Sequence, residues 1–73
     1  MPEQPEELKK LVAVATDLGL SADLRTKAVG LIGNIGSHEA LVALLELVAN
    51  EKLTKKEREL ALKQAGEIIK SGR

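Results

Sequence analysis

Apolar residues recur at intervals of three and four along most of the chain, which is the period of an amphipathic α-helix. The pattern predicts four helices, at about residues 5–18, 22–35, 38–50 and 55–70. The residues that mark their boundaries are Pro5, Ser21, Ser37 and Thr54 at the starts, and Gly19 and Gly36 after the first two. Because the predicted connections are short, successive helices should lie antiparallel to each other.

The predicted helices differ in how far their apolar positions extend around the circumference. The second helix should turn six apolar side chains towards the core: Leu24, Ala28, Val29, Leu31, Ile32 and Ile35. The third is apolar almost all round, through Leu41, Val42, Leu44, Leu45, Leu47 and Val48. An all-round apolar helix is predicted to be central. The fourth opens with a capping box formed by Thr54 and Glu57, and should end before Gly72.

The two halves of the chain repeat each other with an offset of 33 residues. The matching pairs are Leu8 with Leu41, Leu11 with Leu44, Val14 with Leu47, Leu20 with Leu53, Ser21 with Thr54, Arg25 with Arg58, Ala28 with Ala61, Gly33 with Gly66 and Ile35 with Ile68. Such a period usually marks stacked units that share a core. The sequence thus predicts one all-α domain over residues 1–73, built from two stacked helical hairpins, with a plain up-down four-helix bundle as the alternative.

Differences between the two halves are concentrated on the outer helices. Leu24 and Leu31 correspond to Glu57 and Gln64, and Val42 and Ala43 correspond to Lys9 and Lys10. Terminal repeats of a stack need a polar outer face, because no further repeat covers them. We therefore expect a unit that is capped at both ends, and a monomer.

One stretch of the sequence carries a family likeness. Its residues are Leu24, Arg25, Ala28, Leu31, Ile32, Gly33, Ile35 and Gly36, followed by His38, Glu39, Ala40, Leu41, Ala43, Leu44 and Leu45. This stretch resembles a short HEAT-type repeat, of the kind found in PBS-lyase proteins. The likeness covers residues 21–50 and resumes at Leu53 with Arg58, Ala61, Ala65, Gly66 and Ile68. The family usually has Leu at the position of Ile32, and Asp-Pro in place of Ser37 and His38.

The resemblance implies a right-handed α-solenoid that acts as an interaction scaffold, presents its second-type helices on a concave surface and has no catalytic machinery of its own. The first and third helices of this chain are of the second type. Their equivalent exposed positions are Lys9 with Val42, Ala13 with Glu46, and Asp17 with Asn50. These six residues form the interaction surface that the resemblance implies.

Composition narrows the classes of function. Eleven basic residues balance eleven acidic ones, so no electrostatic footprint for nucleic acid is present. The chain has no Cys and no aromatic residue, so its core must be aliphatic and it lacks thiolate metal ligands. No apolar run approaches the roughly 20 residues that cross a bilayer, and the N-terminal segment is not a basic leader. We expect a soluble, untargeted protein, with its location undetermined.

Candidate chemistry is sparse. His38 is the only histidine, and one imidazole beside Glu39 lacks the further ligands that a metal site needs. Lys55, Lys56 and Arg58 are best interpreted as a solvated helix face. No nucleophile has an evident base beside it, so we expect neither an enzyme nor a bound metal or cofactor.

Two features need a structural reason. Gly30 and Gly33 lie inside the second helix, where the close approach of a neighbouring helix is the favoured explanation and a functional hinge the alternative. Leu60 stands where the other half has Lys27, so it should be exposed. With Leu62 and Ile69 it either widens the contact with the third helix or forms a sticky stripe for a second copy or a partner helix.

These observations favour a non-catalytic structural scaffold that requires no partner. The lack of Cys and aromatic residues, the balanced charge and the regular helix caps suggest a designed or consensus-derived sequence. The alternative is a helical-repeat module that binds a protein, a peptide or a second copy, through the first and third helices or through the stripe that contains Leu60.

Overall fold

The computed structural model describes residues 6–71, and this part of the chain is all-helical. Its four helices are α1 (Glu6–Ala15), α2 (Ala22–Ile35), α3 (His38–Ala49) and α4 (Lys55–Lys70). The prediction of an all-α protein with four helices is confirmed for these residues. The parts played by Pro5 and Gly72 concern positions outside the described residues.

Side-chain caps fix the starts of three helices, as predicted. The hydroxyls of Ser21, Ser37 and Thr54 accept hydrogen bonds from the third residue along, at 3.2, 3.1 and 3.1 Å. Thr54 also has the reciprocal bond, because its N–H donates to the Glu57 carboxylate at 2.9 Å. This confirms the capping box. Gly36 ends α2 with a φ of 67°, a left-handed conformation that favours glycine.

The first helix ends earlier than the periodicity predicts, at Ala15 instead of residue 18. The Asp17 N–H bonds the carbonyl of Val14, three residues back, which tightens the chain into a turn. The Asp17 carboxylate then accepts from the Gly19 N–H at 2.9 Å. Asp side chains commonly compete with the helix for backbone donors in this way. Leu18, predicted to belong to the helix, lies in the turn and is 52% exposed.

The central helix of the packing is α2. It packs closely on α1 and α4 and less extensively on α3, and α3 packs on α4, whereas α1 makes at most minor contact with α3 or α4. The expectation that α3 would be central is therefore wrong. Val42 and Leu45 of α3 remain 42% and 45% exposed because no described helix covers those sides.

The core is aliphatic, as the composition requires. Its fully buried members include Leu8, Val29, Ile32, Leu44 and Leu47, with alanines between them where helices approach. Three α2 residues that the pattern assigned to the core lie outside it, since Leu24, Leu31 and Ile35 are 47%, 51% and 37% exposed. The reason is geometric. Helix α2 buries the side that carries Val29 and Ile32, and Leu24 and Leu31 point away from that side.

Close approach explains one of the two glycines inside α2. A Cβ on Gly33 would lie 2.7 Å from Cδ and 3.0 Å from Cβ of Gln64, so the expected helix contact is confirmed there. It is wrong for Gly30, where a Cβ would meet nothing within 4 Å. Nothing in the structure explains Gly30.

Candidate functional site

A buried ion pair joins the two halves of the molecule. Nε of Arg25 donates to Oε2 of Glu57 at 2.6 Å, and Nη2 donates to Oε1 at 3.3 Å. The two side chains are 9% and 0% exposed. Nη1 of Arg25 donates to the carbonyl of Leu20 at 2.6 Å, so the guanidinium also holds the turn between α1 and α2. Two-point contact of this kind fixes geometry as well as charge.

This pair corrects the expectation that Glu57 belongs to a polar outer face. Glu57 faces α2 and is fully buried. Its placement follows from the capping box, which holds the first turn of α4 against Thr54 while Arg25 reaches across from α2. Sequence reasoning found the capping role and missed the partner. The available signal was Arg25 itself, a charged residue set among the buried positions of α2.

Ionisation of the pair follows from these contacts. Burial alone would raise the pKa of Glu57, but the hydrogen bonds from Arg25 and Thr54 outweigh it, and the pKa lies below its usual value. The same hydrogen bond from Arg25 to Glu57 raises the pKa of the guanidinium. Among residues 6–71, every buried side-chain nitrogen or oxygen has a hydrogen-bond partner. The pair is thus a satisfied structural contact between α2 and α4.

A groove runs between α1 and α3, on the surface that the resemblance singled out. It has a volume of about 430 Å³ and is lined by Leu8, Lys9, Val12, His38, Glu39, Val42, Ala43 and Glu46. The apolar side chains form its floor, and charges of both signs stand at its rim. An apolar floor with a mixed-charge rim suits one face of an amphipathic helix.

The structure brings only some of the predicted surface residues together. Lys9, Val42 and Glu46 line the groove. Ala13 is exposed on α1 but does not line it. The remaining positions, Asp17 and Asn50, lie in the turns that follow α1 and α3.

Asp17 and Asn50 perform the same local task in the two halves. Each side-chain oxygen accepts from the backbone N–H two residues on, at 2.9 Å in both cases. Each carbonyl also accepts from the N–H of a leucine, Leu20 at 3.0 Å and Leu53 at 3.2 Å. Asp and Asn are favoured in turns because their side chains can make this bond. Both residues therefore shape turns and do not contribute to the groove.

The stripe around Leu60 is not continuous. Leu60 is half-buried against the core, so the expectation that it would be exposed is wrong. Leu62 and Ile69 are 56% and 60% exposed. They lie seven residues apart, which places them on one side of α4, away from the core.

The described residues form neither a metal site nor a membrane-spanning helix. Within residues 6–71, no three His, Cys, Asp or Glu side chains are grouped so that they could hold a metal ion. None of the described helices has the length and apolar character needed to cross a membrane.

The chain matches no protein-family model, and no curated protein or solved structure is significantly similar to it.

Proposed function

We propose that this chain is a non-catalytic scaffold, built as two HEAT-like hairpins stacked in a short α-solenoid. The observation that carries the proposal is the contact between α2 and α4. These helices run in the same direction, because Arg25 meets Glu57 near their starts and Gly33 meets Gln64 further along. In an up-down bundle the second and fourth helices stand on a diagonal, and the first and fourth are neighbours. Here α2 packs closely on α4, and α1 does not.

Repetition of local chemistry supports the same arrangement. Ser21 and Thr54 cap equivalent helices, and Asp17 and Asn50 form equivalent turns. The strongest ionic contact, between Arg25 and Glu57, holds one hairpin on the other. The caps, the turns and the ion pair all stabilise the fold, and this favours a scaffold over an enzyme.

Extending the stack by one hairpin tests the proposal. A second copy of residues 36–68 inserted after Ile68 continues the 33-residue offset and includes the Gly36 and Ser37 turn, so Arg58 would face a new glutamate as Arg25 faces Glu57. In a solenoid, stability is approximately a sum of repeat and interface contributions, so the extended chain should be more helical and melt at a higher temperature. A matched control inserts the same residues in scrambled order. A longer chain that melts like the original, with a protease-sensitive insert, would refute the stacked arrangement.

The groove between α1 and α3 favours a second function, the binding of an amphipathic helical peptide. Its apolar floor is open and Val42 is 42% exposed within it. A leucine-striped helical peptide titrated into labelled protein should shift the amide signals of Lys9, Val42 and Glu46. Val42→Glu should abolish those shifts, and Ala13→Glu, exposed on α1 outside the groove, should preserve them. Equal effects of the two variants would exclude the groove as the binding surface.

A further inference from the structure

Most of the exposed large apolar side chains lie at the two ends of the hairpin stack. One end carries Leu24, Leu31 and Ile35 on α2, and the other carries Leu45 on α3 with Leu62 and Ile69 on α4. Leu18 and Val42 are the remaining exposed large apolar residues among those described. Within residues 6–71, both ends therefore expose large apolar side chains beside charged ones, where uniformly polar end faces were expected.

The leading face is the end formed by α1 and α2. It consists of Leu11, Val14, Leu24, Leu31 and Ile35. Four of these residues, all but Leu24, line an open groove of about 430 Å³, with Glu7 and Lys10 at its edge. No described helix covers this groove.

The trailing face is the opposite end, formed by α3 and α4. It consists of Leu45, Val48, Leu62, Gly66 and Ile69. A smaller groove of about 190 Å³ opens between Val48 and Leu62, beside Lys55, Arg58 and Glu59.

The two faces correspond to the two sides of the contact that already holds the hairpins together. With the 33-residue offset, Leu24 and Leu31 of the leading face stand where Glu57 and Gln64 meet the first hairpin. On the trailing face, Leu62 stands where Val29 is fully buried. The leading face therefore corresponds to the α4 side of the internal contact, and the trailing face corresponds to its α2 side.

The trailing face also contains the equivalent of Gly33, the glycine that contacts Gln64 between the two hairpins. Gly33 in α2 seats the side chain of Gln64, but its equivalent, Gly66 in α4, has nothing within 4 Å of a Cβ position. A glycine inside a helix costs up to about 1 kcal/mol relative to alanine. Gly66 lies between Leu62 and Ile69 on one side of α4. The three residues leave a shallow apolar depression there, equivalent to the position at Gly33 that the Gln64 side chain occupies.

We propose that this chain associates with a second copy of itself head to tail, the trailing face of one copy packing on the leading face of the next. Leu31 of one copy would then lie over Gly66 of its neighbour, as Gln64 lies over Gly33 within the chain. Leu24 would lie beside Arg58, whose Nε is already bonded to the Val48 carbonyl at 2.8 Å and whose alkyl stem can cover an apolar neighbour. The contact rests on the stacked arrangement of the proposed function.

Such a contact is heterologous, so it can repeat along a line. Each face would remain available at one end of every oligomer. The average mass should therefore rise continuously with concentration, instead of stopping at a closed dimer.

Complementation between two blocked variants tests the proposal. Leu31→Glu blocks the leading face and leaves the trailing face intact, and Leu62→Glu does the reverse. Each should remain a monomer of 7.8 kDa in sedimentation velocity with interference optics, with self-association weakened by about 100-fold or more, because a carboxylate would be buried without a partner. An equimolar mixture should form a heterodimer of twice that mass and nothing larger. Leu18→Glu, at a residue equally exposed but outside both faces, should associate like the unsubstituted chain.

Three results would overturn the proposal. The unsubstituted chain could be monomeric at every concentration, either single variant could still associate fully, which indicates pairing of like faces, or the mixture could fail to form the heterodimer. Circular dichroism of each variant checks that the helices are intact. If the chain extended by one hairpin is stabilised while the original stays monomeric, only self-association fails. If the extension adds no stability, the proposed function itself fails.

Discussion

Arg25 and Arg58 occupy equivalent positions in the two hairpins and have different surroundings. Arg25 is buried, with a two-point contact to Glu57 across the hairpin boundary. Arg58 is only half-buried, and its Nε bonds the carbonyl of Val48 within its own hairpin. The first hairpin has a neighbour on that side and the second does not. A residue's role in this molecule thus depends on whether another hairpin lies beside it.

The largest effect should come from replacing the arginines. Arg25→Met leaves the Glu57 carboxylate buried without its counter-ion, and breaking a buried pair typically costs about 3–5 kcal/mol. Arg58→Met removes one hydrogen bond at a half-buried site, typically about 1 kcal/mol. Urea denaturation followed by circular dichroism measures both. Equal losses for the two variants would mean that the ion pair does not hold the hairpins together.

A second pair of equivalent residues compares a buried apolar position with an exposed one. Val29 is fully buried in α2, and Leu62, its equivalent in α4, is 56% exposed. Val29→Ala opens a cavity in the core and should cost about 2 kcal/mol. Leu62→Ala should change the stability of the monomer by less than about 0.5 kcal/mol. The free energies of unfolding of the two variants are compared in dilute solution, where no second copy covers Leu62. A loss at Leu62 as large as that at Val29 would contradict its exposure.

Substitution of the equivalent glycines should give effects of opposite sign. Gly33→Ala gains helix propensity but places a methyl group against the Gln64 side chain, so we expect a net loss of about 1 kcal/mol. Gly66→Ala meets open space and should gain up to about 1 kcal/mol. Thermal melts of the two variants check the signs.

The double variant Gly33→Ala with Gln64→Ala sharpens this test. It removes the long side chain that a methyl group on Gly33 would meet and should recover part of the loss. A loss for Gly33→Ala that is unchanged by Gln64→Ala would place the strain in the backbones of the two helices. Gly30→Ala, which meets nothing within 4 Å, is the control for helix propensity alone.

The features predicted correctly from the sequence are those that depend on residues close together in the chain. The serine and threonine caps, the Thr54 capping box and the left-handed Gly36 depend on residues a few positions apart, and all are confirmed. The early end of α1 is equally local but was missed, because Asp17 competes with the helix for backbone donors and the apolar period continues past it.

Contacts across the hairpins were harder to predict. The period of α2 marks Leu24 and Leu31 as apolar but does not say which sides of the helix have neighbours. The pairing of Arg25 with Glu57 spans 32 residues, and the repeat alignment sets Arg25 against Arg58, which conceals it. The family resemblance named six surface positions, and three of them, Lys9, Val42 and Glu46, line the groove between α1 and α3. Which of the six surface positions enter it depends on where the turns begin.

The smallest expected effect is the pH dependence of the stabilisation by the ion pair between Arg25 and Glu57. The pKa of Glu57 in the folded protein lies below its ordinary value of 4.5, so the unfolded chain binds this proton more readily than the folded one. The stabilisation is therefore fully present well above pH 4.5, and it decreases as the pH falls through 4.5 towards the lower folded-state pKa.

The variant Glu57→Gln removes this titration. Between neutral pH and acid, its free energy of unfolding should fall less than that of the unsubstituted chain. Glu46→Gln, at an exposed glutamate in the groove, should follow the unsubstituted chain. Parallel acid profiles for all three proteins would show that the Arg25 contact contributes no pH-dependent stability, and the difference between the hairpins would then rest on packing alone.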